Sequence, residues 1–174
     1  MRKLFISGVL ALSLIASASS SYAASTDPRL ISSHGDWSAY MYEDNGTKVC
    51  FMSSQPTKAV GKYKKRGDVY MFITHWTADR SYDVVSVAAG YGYKTGSNAT
   101  ITVDGKKYTL FTQKEMAWTH DPKTDKALAK AVRKGSRMVV KGVSSRGTKT
   151  TDTYSLKGSG AAYKAISKAC KVSY

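Results

Sequence analysis

The stretch Val69–Thr77 (VYMFITHWT) decides the fold class of this chain. Apolar residues occupy both sets of alternating positions, so the segment has strand-forming residues but no polar face. This pattern is typical of a central strand that is covered on both sides. It therefore predicts that 69–77 lies in the middle of a sheet, with other parts of the protein packed against each face.

Further strand candidates lie on both sides of this segment and are separated by turn signals. Asn45-Gly46 and Asp104-Gly105 are two-residue hairpin signals, and Pro56 ends a strand because proline cannot donate to a sheet. The other strand candidates are the segments 35–42, 47–55, 82–89, 99–103, 106–111, 137–145 and 148–156. This close spacing of short strands indicates an all-β sandwich.

Helix signals are few. Asp121-Pro122 starts a helix, since Asp caps free amides and Pro is tolerated at the first helical position, and Gly135 ends it. A second short helix is predicted at 159–169. The polar residues 24–34 are expected to be frayed. We therefore predict a single sandwich domain over residues 24–174, with one or two short helices.

Residues 1–23 have the layout of a secretory signal peptide. Arg2 and Lys3 precede an apolar run from 4 to 18, and small residues lead to a cleavage site after Ala23. The alternative is an N-terminal membrane anchor, for which the run is short. No later segment approaches the roughly 20 apolar residues that a membrane span needs. The pattern predicts export and removal of residues 1–23.

Export decides how the only two cysteines, Cys50 and Cys170, are interpreted. In an oxidising compartment one pair predicts one disulfide, whereas two separate buried thiols are the alternative. The chain has no Cys-x-x-Cys, so neither a thioredoxin-like site nor a zinc site is indicated. Helical spacing places Cys170 on the same face as Ile166, and alternation alone does not settle which way Cys50 points.

The chain is strongly cationic, with 27 Lys and Arg against 12 Asp and Glu and a formal charge of +15. Its 42% hydrophobic residues exclude intrinsic disorder, so a packed core is expected. Such charge favours acidic partners. The densest cationic cluster consists of Lys62, Tyr63, Lys64, Lys65 and Arg66.

This cluster is a candidate contact for a polyanion, because clustered cations release counterions and the tyrosine offers a ring for stacking. The alternative is a solvated loop in a protein that is basic throughout. No nucleic-acid fold motif is present, so no specific nucleic acid is expected. An anionic glycan or lipid surface, or an unknown protein, is the predicted partner. A second candidate is the loop 90–96, where Tyr91 and Tyr93 alternate with glycines and are predicted to be exposed.

Signals for catalysis are weak. His34, His75 and His120 lie far apart without a second ligand nearby, and there is no Gly-x-Ser-x-Gly. Carboxylates such as Asp121 fall in turn or cap positions. We predict no catalytic residue, metal or cofactor. The alternative is a small periplasmic hydrolase whose Ser, His and Asp or Glu converge only in space.

Motifs in order along the chain resemble one family. They are Gly35-Asp36-Trp37, the stretch 50–56 (CFMSSQP), the stretch 153–158 (TYSLKG), the stretch 161–166 (AAYKAI) and Cys170. Together they are similar to the invasion-associated locus B (IalB) family of alphaproteobacteria, and the C-terminal motif is the most specific part.

The resemblance implies an immunoglobulin-like β-sandwich and a role in host-cell invasion or envelope function through surface binding. It implies a periplasmic protein, outer-membrane associated or secreted, that acts in virulence where the bacterium is a pathogen. No catalytic residue carries over to this sequence. The partner and the oligomeric state stay open.

Overall fold

The computed structural model describes residues 27–173, and the predicted signal peptide 1–23 lies outside them. The described chain consists of β1 (Arg29–His34), β2 (Trp37–Asp44), β3 (Thr47–Ser54), β4 (Lys58–Gly61), β5 (Tyr70–Trp76), β6 (Ser81–Ala88), β7 (Asn98–Val103), β8 (Lys106–Gln113), β9 (Met116–Trp118), α1 (Pro122–Lys134), β10 (Arg137–Val143), β11 (Lys149–Ser155) and α2 (Ser159–Cys170). Neither of these helices is long and apolar enough to cross a membrane.

All strand pairs are antiparallel, and hydrogen bonds join the strands in the order β1-β2-β3-β5-β6-β9-β8-β7-β10-β11-β4. The short β9 links a first half, made of β1, β2, β3, β5 and β6, to a second half, made of β8, β7, β10, β11 and β4. Both halves contribute fully buried residues to one core, such as Ile73 from β5 and Ile101 from β7. The Trp37 Nε1 atom donates to the Ser155 carbonyl across this core, at 3.0 Å. The all-β, sandwich-like prediction is confirmed.

Local signals placed most elements correctly. Both residues of Asn45-Gly46 and of Asp104-Gly105 have positive φ, as the tightest hairpin turns require. The Asp121 carboxylate accepts the Thr124 N–H at 2.9 Å, and α1 runs from Pro122 to the residue before Gly135.

The expectation that 24–34 is frayed is wrong for Arg29–His34, which forms β1 and pairs with β2. An edge strand pairs on one side only and keeps most side chains in water, so it carries no apolar alternation that a sequence pattern would reveal. The same reason hides β4 inside the basic segment. Three-residue β9 is too short to show a period.

The prediction for β5 is half right. Met71, Ile73 and His75 point inward and are fully buried. Their outward neighbours remain partly exposed, and Trp76 is 36% exposed. Within the described residues β5 is therefore central but covered on one face only.

The disulfide prediction is confirmed. Cys50 on β3 and Cys170 on α2 are bonded, with 6.0 Å between their Cα atoms and a sequence separation of 120. The bond holds the C-terminal helix on the inner side of the sheet. In the chain-entropy picture a loop of this length stabilises the fold by about 4–5 kcal/mol.

Candidate functional site

Three loops meet around a cleft of about 600 Å³ that is rich in cations. Residues 62–67, residues 90–92 and residues from 144 to 150 line it, and we call it the basic cleft. The structure thus brings together the two candidates predicted from sequence, the basic cluster and the glycine-tyrosine loop. It adds the β10–β11 turn, which sequence reasoning treated only as a turn.

Backbone hydrogen bonds fix the three loops to one another. The Gly67 N–H donates to the Gly90 carbonyl at 2.9 Å, and the Ser145 N–H donates to the Gly92 carbonyl at 2.7 Å. Gly90 has φ of +68°, and a Cβ there would collide with the Gly67 backbone. The three loops are therefore fixed to one another, and the backbones at 67 and 90 can approach this closely only because residue 90 is glycine.

Arg66 lies in the floor of the basic cleft. Its Nη1 and Nη2 atoms donate to the two carboxylate oxygens of Asp152, each at 2.7 Å, and its Nε atom donates to the Ala89 carbonyl at 2.7 Å. The side chains are 5% and 3% exposed. Burial acts to lower the pKa of Arg66, but hydrogen bonding and the charge of Asp152 outweigh it and raise that pKa. Arg66 therefore holds the cleft together and is not the free surface contact that the sequence pattern predicts.

The predicted exposure of the two loop tyrosines is also wrong. Tyr93 is 7% exposed and belongs to the core, and burial raises its pKa. Tyr91 is partly buried, with its hydroxyl 2.6 Å from the Thr150 Oγ1 atom and its ring 5.0 Å from the Arg66 guanidinium. The physical reason is Gly142 on β10, because a Cβ there would lie 2.7 Å from both tyrosines. That vacant space admits the two rings.

The other residues of the predicted basic cluster lie on the exposed rim of the cleft. Lys62, Tyr63, Lys64 and Lys65 are exposed, and Arg146 from the β10–β11 turn joins them. No Asp or Glu is among the lining residues of this cleft. Four cations and one aromatic ring thus surround a concave surface without an opposing charge, which is an arrangement that binds anions.

A buried serine-histidine pair lies elsewhere, between β5 and α2. The His75 Nε2 atom is 3.1 Å from the Ser167 Oγ atom, and the His75 Nδ1 atom accepts the Asp83 backbone N–H at 3.2 Å. An accepting Nδ1 assigns the proton to Nε2, which must then donate to Ser167.

This tautomer is the reverse of the one in a hydrolytic triad, where Nε2 accepts the serine proton. Burial lowers the pKa of His75 despite the opposing charge of Asp83, so the ring stays neutral. The Asp83 carboxylate accepts instead from the Tyr163 hydroxyl. His75 and Ser167 are 0% exposed. The pair is therefore a satisfied core contact. Between residues 27 and 173, no three His, Cys, Asp or Glu side chains converge as metal ligands.

The fold and the cleft define a disulfide-bonded antiparallel β-sandwich with a cationic concave surface. Residues 37–167 match the family described as invasion associated locus B (IalB) protein, and the chain belongs to this family. A similar solved structure is that of invasion associated protein B from Bartonella henselae, with 19% identity and a TM-score of 0.56. The likeness covers 80% of this chain and 97% of that one, and it shows the fold. No protein of curated function matches the chain.

Proposed function

We propose that this protein is an exported, non-enzymatic binding protein whose basic cleft contacts an anionic glycan or lipid surface. The carrying observation is the cleft itself, where Lys62, Lys64, Lys65 and Arg146 surround a lining without acidic residues. The solved relative is named as invasion associated. By extension, the proposed setting is host-cell interaction or envelope function, and the proposed location is the periplasm or the outer cell surface.

Two features support export. Residues 1–23 read as a signal peptide. The Cys50–Cys170 disulfide is of the kind that persists in oxidising compartments and is rare in reducing ones. Fractionation of cells that express the full chain tests this step, with cleaved protein expected outside the cytoplasm. Uncleaved protein with free thiols in the cytoplasm contradicts it.

The binding mechanism is electrostatic, with a place for stacking. Cations that meet a polyanion release its condensed counterions, so affinity falls as salt rises. Tyr63 stands 36% exposed beside the lysines and offers a ring to a sugar or a headgroup. The proposal is non-enzymatic because the buried His75–Ser167 pair has the wrong tautomer for a hydrolase and no access for a substrate.

A charge-matched comparison tests the cleft. One variant replaces Lys62, Lys64, Lys65 and Arg146 by Gln, and its control replaces Lys107, Lys123, Lys164 and Lys168, which are exposed and lie outside the cleft. The probe is a heparin oligosaccharide, titrated over a range of salt concentrations. Each lost contact lowers the log–log salt slope by about 1, so the cleft variant loses up to about 4 and the control is unchanged.

Equal losses in both variants would mean that general charge, and not the cleft, binds the probe. Vesicles containing anionic phospholipid, titrated in parallel, distinguish a lipid surface from a glycan. The fold of each variant is checked by its far-ultraviolet spectrum, since exposed substitutions change stability by less than about 0.5 kcal/mol.

A further inference from the structure

The outward side of the adjacent strands β2, β3, β5, β6, β9 and β8 carries a group of aromatic rings, which we call the aromatic face. Its members are Tyr40, Tyr42, Phe51, Tyr70, Phe72, Trp76, Phe111 and Trp118. The rings contact one another across the strands, with centroid separations of 5.1 Å for Tyr40–Phe51, 6.0 Å for Phe51–Phe72, 5.7 Å for Tyr70–Phe72 and 5.7 Å for Phe111–Trp118. Six of the rings form one connected cluster, and Phe111–Trp118 form a second pair on the neighbouring strands of the same side.

The interior of the aromatic face is free of charge, and Asp44, whose charge acts on Tyr42, stands at its margin. The registered rows that cross it are Tyr42–Val49–Trp76, Tyr40–Phe51–Thr74–Val84, Ser38–Ser53–Phe72–Ser86–Trp118–Phe111 and Tyr70–Ala88–Met116–Gln113. No Lys, Arg, Asp or Glu occurs in these rows, in a chain of formal charge +15. The polar groups between the rings are hydroxyls.

The rings of the aromatic face stay partly exposed, and the exposed His120 contacts Phe111 from outside the sheet, with 5.3 Å between the ring centroids. The opposite, inward side of the same strands holds the core, and both helices lie there: α2 through the Cys50–Cys170 disulfide, and α1 through Leu128 and Val132, which are buried in the core cluster. An antiparallel sheet with one solvated face normally places polar residues on that face. The sequence of β5, apolar on both sides, is the pattern of a strand with two covered faces.

The size of the face suits an interface. The four registered rows hold 17 outward positions, and at about 4.8 Å by about 6.6 Å each these give on the order of 500 Å² of area per copy. Side chains that stand out from the sheet add to the accessible area. Two such faces together reach the roughly 1,000 Å² that a specific protein interface needs.

We propose that two copies of this protein pair through their aromatic faces to form a symmetric dimer. The cores of protein interfaces are enriched in Tyr, Trp, Phe and Met and depleted of Lys, Asp and Glu, which is the composition found here. Two sheets also pack face to face as the layers of a sandwich do.

The charge distribution favours a second copy as the occupant. Elsewhere the surface of each copy is rich in cations, so contacts between copies bring like charges together. On the aromatic face a second copy meets rings with rings and buries no charge. An anionic glycan or lipid finds no cation in the registered rows to pair with.

The dimer would change how the basic cleft works, and this part of the inference rests on the proposed function. No residue of the aromatic face lines the cleft, so pairing leaves both clefts open. Two clefts in one assembly bind a repeating polyanion with an effective concentration that a single cleft lacks. Retention on a long heparin chain therefore exceeds what one cleft gives.

The affinities of the two interactions change in opposite directions as the salt concentration rises. Binding of a polyanion weakens as salt rises, because counterion release contributes less. Pairing through an uncharged face strengthens as salt rises, because screening reduces the repulsion between two cationic copies. One salt series thus reports both interfaces.

Sedimentation velocity over a range of protein concentrations, at low and at high salt, tests the dimer. The wild type is expected to shift from monomer to dimer, with the shift at lower concentration in high salt. Phe72→Lys lies near the middle of the face and places a charge in the interface of each copy, so it is expected to weaken the dimer at least ~100-fold. The control is Thr151→Lys, which adds the same charge at an outward, partly exposed position on β11, at the far end of the sheet.

Phe72→Thr is a second variant that keeps a strand-forming residue, and it guards against misfolding of the lysine variant. It is expected to weaken the dimer by a smaller factor with unchanged secondary structure. A wild type that stays monomeric at every concentration and salt overturns the proposal, as does a dimer that Phe72→Lys and Thr151→Lys affect equally. A short heparin oligosaccharide that occupies one cleft tests the proposed function separately, because its binding does not depend on pairing.

Discussion

The basic cleft and the aromatic face differ in what completes them. In the cleft, the buried charge of Arg66 is satisfied inside the chain by Asp152 and Ala89, and only the rim cations are left for a ligand. On the aromatic face the rings pack against one another, stacked in Tyr40–Phe51 and Phe111–Trp118 and edge-on or tilted elsewhere, and each ring keeps part of its surface in water. The buried charges of the cleft are therefore paired within one chain, whereas the aromatic face lacks a second layer that would bury its rings.

A comparison of outward residues in two parts of the same sheet shows that the fold does not require aromatic residues at these positions. On the second half, the outward positions of β7, β10 and β11 are mostly Thr and Lys, for example Thr100, Lys141 and Thr151. These residues form equally regular strands and remain in contact with water at little cost. The fold therefore accepts polar residues at outward positions, and the aromatic residues of the first half need another explanation.

The largest expected effect is the loss of the ion pair under the cleft. Arg66→Gln leaves the Asp152 carboxylate buried without its partner, and removal of one member of a buried pair costs about 3–5 kcal/mol. Urea unfolding measures this change. Lys64→Gln, two residues away but exposed, is the matched control and is expected to change stability by less than about 0.5 kcal/mol.

A double variant checks the cause of that loss. Arg66→Met with Asp152→Leu removes both charges and keeps apolar volume, so it is expected to recover much of the stability lost in Arg66→Gln. If Arg66→Gln lowers the free energy of unfolding no more than Lys64→Gln does, this ion pair does not stabilise the floor of the cleft. The contrast with the aromatic face then disappears.

A smaller effect is expected at His75, which points inward from β5, the strand whose outward side carries Phe72 and Trp76. Burial lowers the pKa of His75, so the folded state binds its proton less readily than the unfolded state. Stability is therefore complete above the ordinary histidine pKa of about 6.5 and falls as the pH drops below it, by at most about 1.4 kcal/mol per pH unit. Urea midpoints between about pH 7.5 and about pH 5.5 measure this slope.

His75→Gln supplies the control, because it keeps polar groups for Ser167 but does not titrate, and it is expected to flatten the slope. Burial raises the pKa of Asp125, whose contribution has the opposite sign and is present in both proteins, so the difference between the two slopes isolates His75. An unchanged slope in His75→Gln means that another group is responsible.

Much of the fold could be predicted because its signals are local. Asn45-Gly46, Asp104-Gly105 and the Asp121 cap fix backbone conformation over two to four residues, and each was found where the pattern placed it. The edge strands β1 and β4 and the short β9 were missed, because pairing on one side or over three residues leaves no apolar period. The disulfide followed from the count of cysteines and the predicted export.

The basic cleft was only half predictable. The cationic run at 62–66 is visible in sequence, but the role of Arg66 depends on an inward Asp152 that is 86 residues away. Arg146 reaches the cleft through a turn that looks ordinary by itself. Tyr93 was expected at the surface because its glycine neighbours suggest a flexible loop, and the space beside Gly142 that buries it is a long-range feature.

The aromatic face shows a different limit. The apolar residues on both sides of 69–77 predict two covered faces, and in the described chain only the inward face is covered. A pattern in one chain does not say which molecule would cover the other face. The described structure leaves that side open, so the mismatch between pattern and exposure is itself informative. It is this mismatch that the dimer proposal explains.

The smallest expected effect is a change in fluorescence that reads the aromatic face directly. Two of the three tryptophans, Trp76 and Trp118, lie on the face, whereas Trp37 is fully buried. Dilute protein at low salt is expected to show partial quenching by acrylamide, from the tryptophans on the face. At high concentration and high salt the quenchable fraction is expected to fall, because pairing covers these rings. Trp76→Phe removes the most exposed tryptophan and is expected to reduce the change without abolishing pairing. A quenchable fraction that is constant across concentration means that the face stays in water, and the difference between the two regions then has no role in assembly.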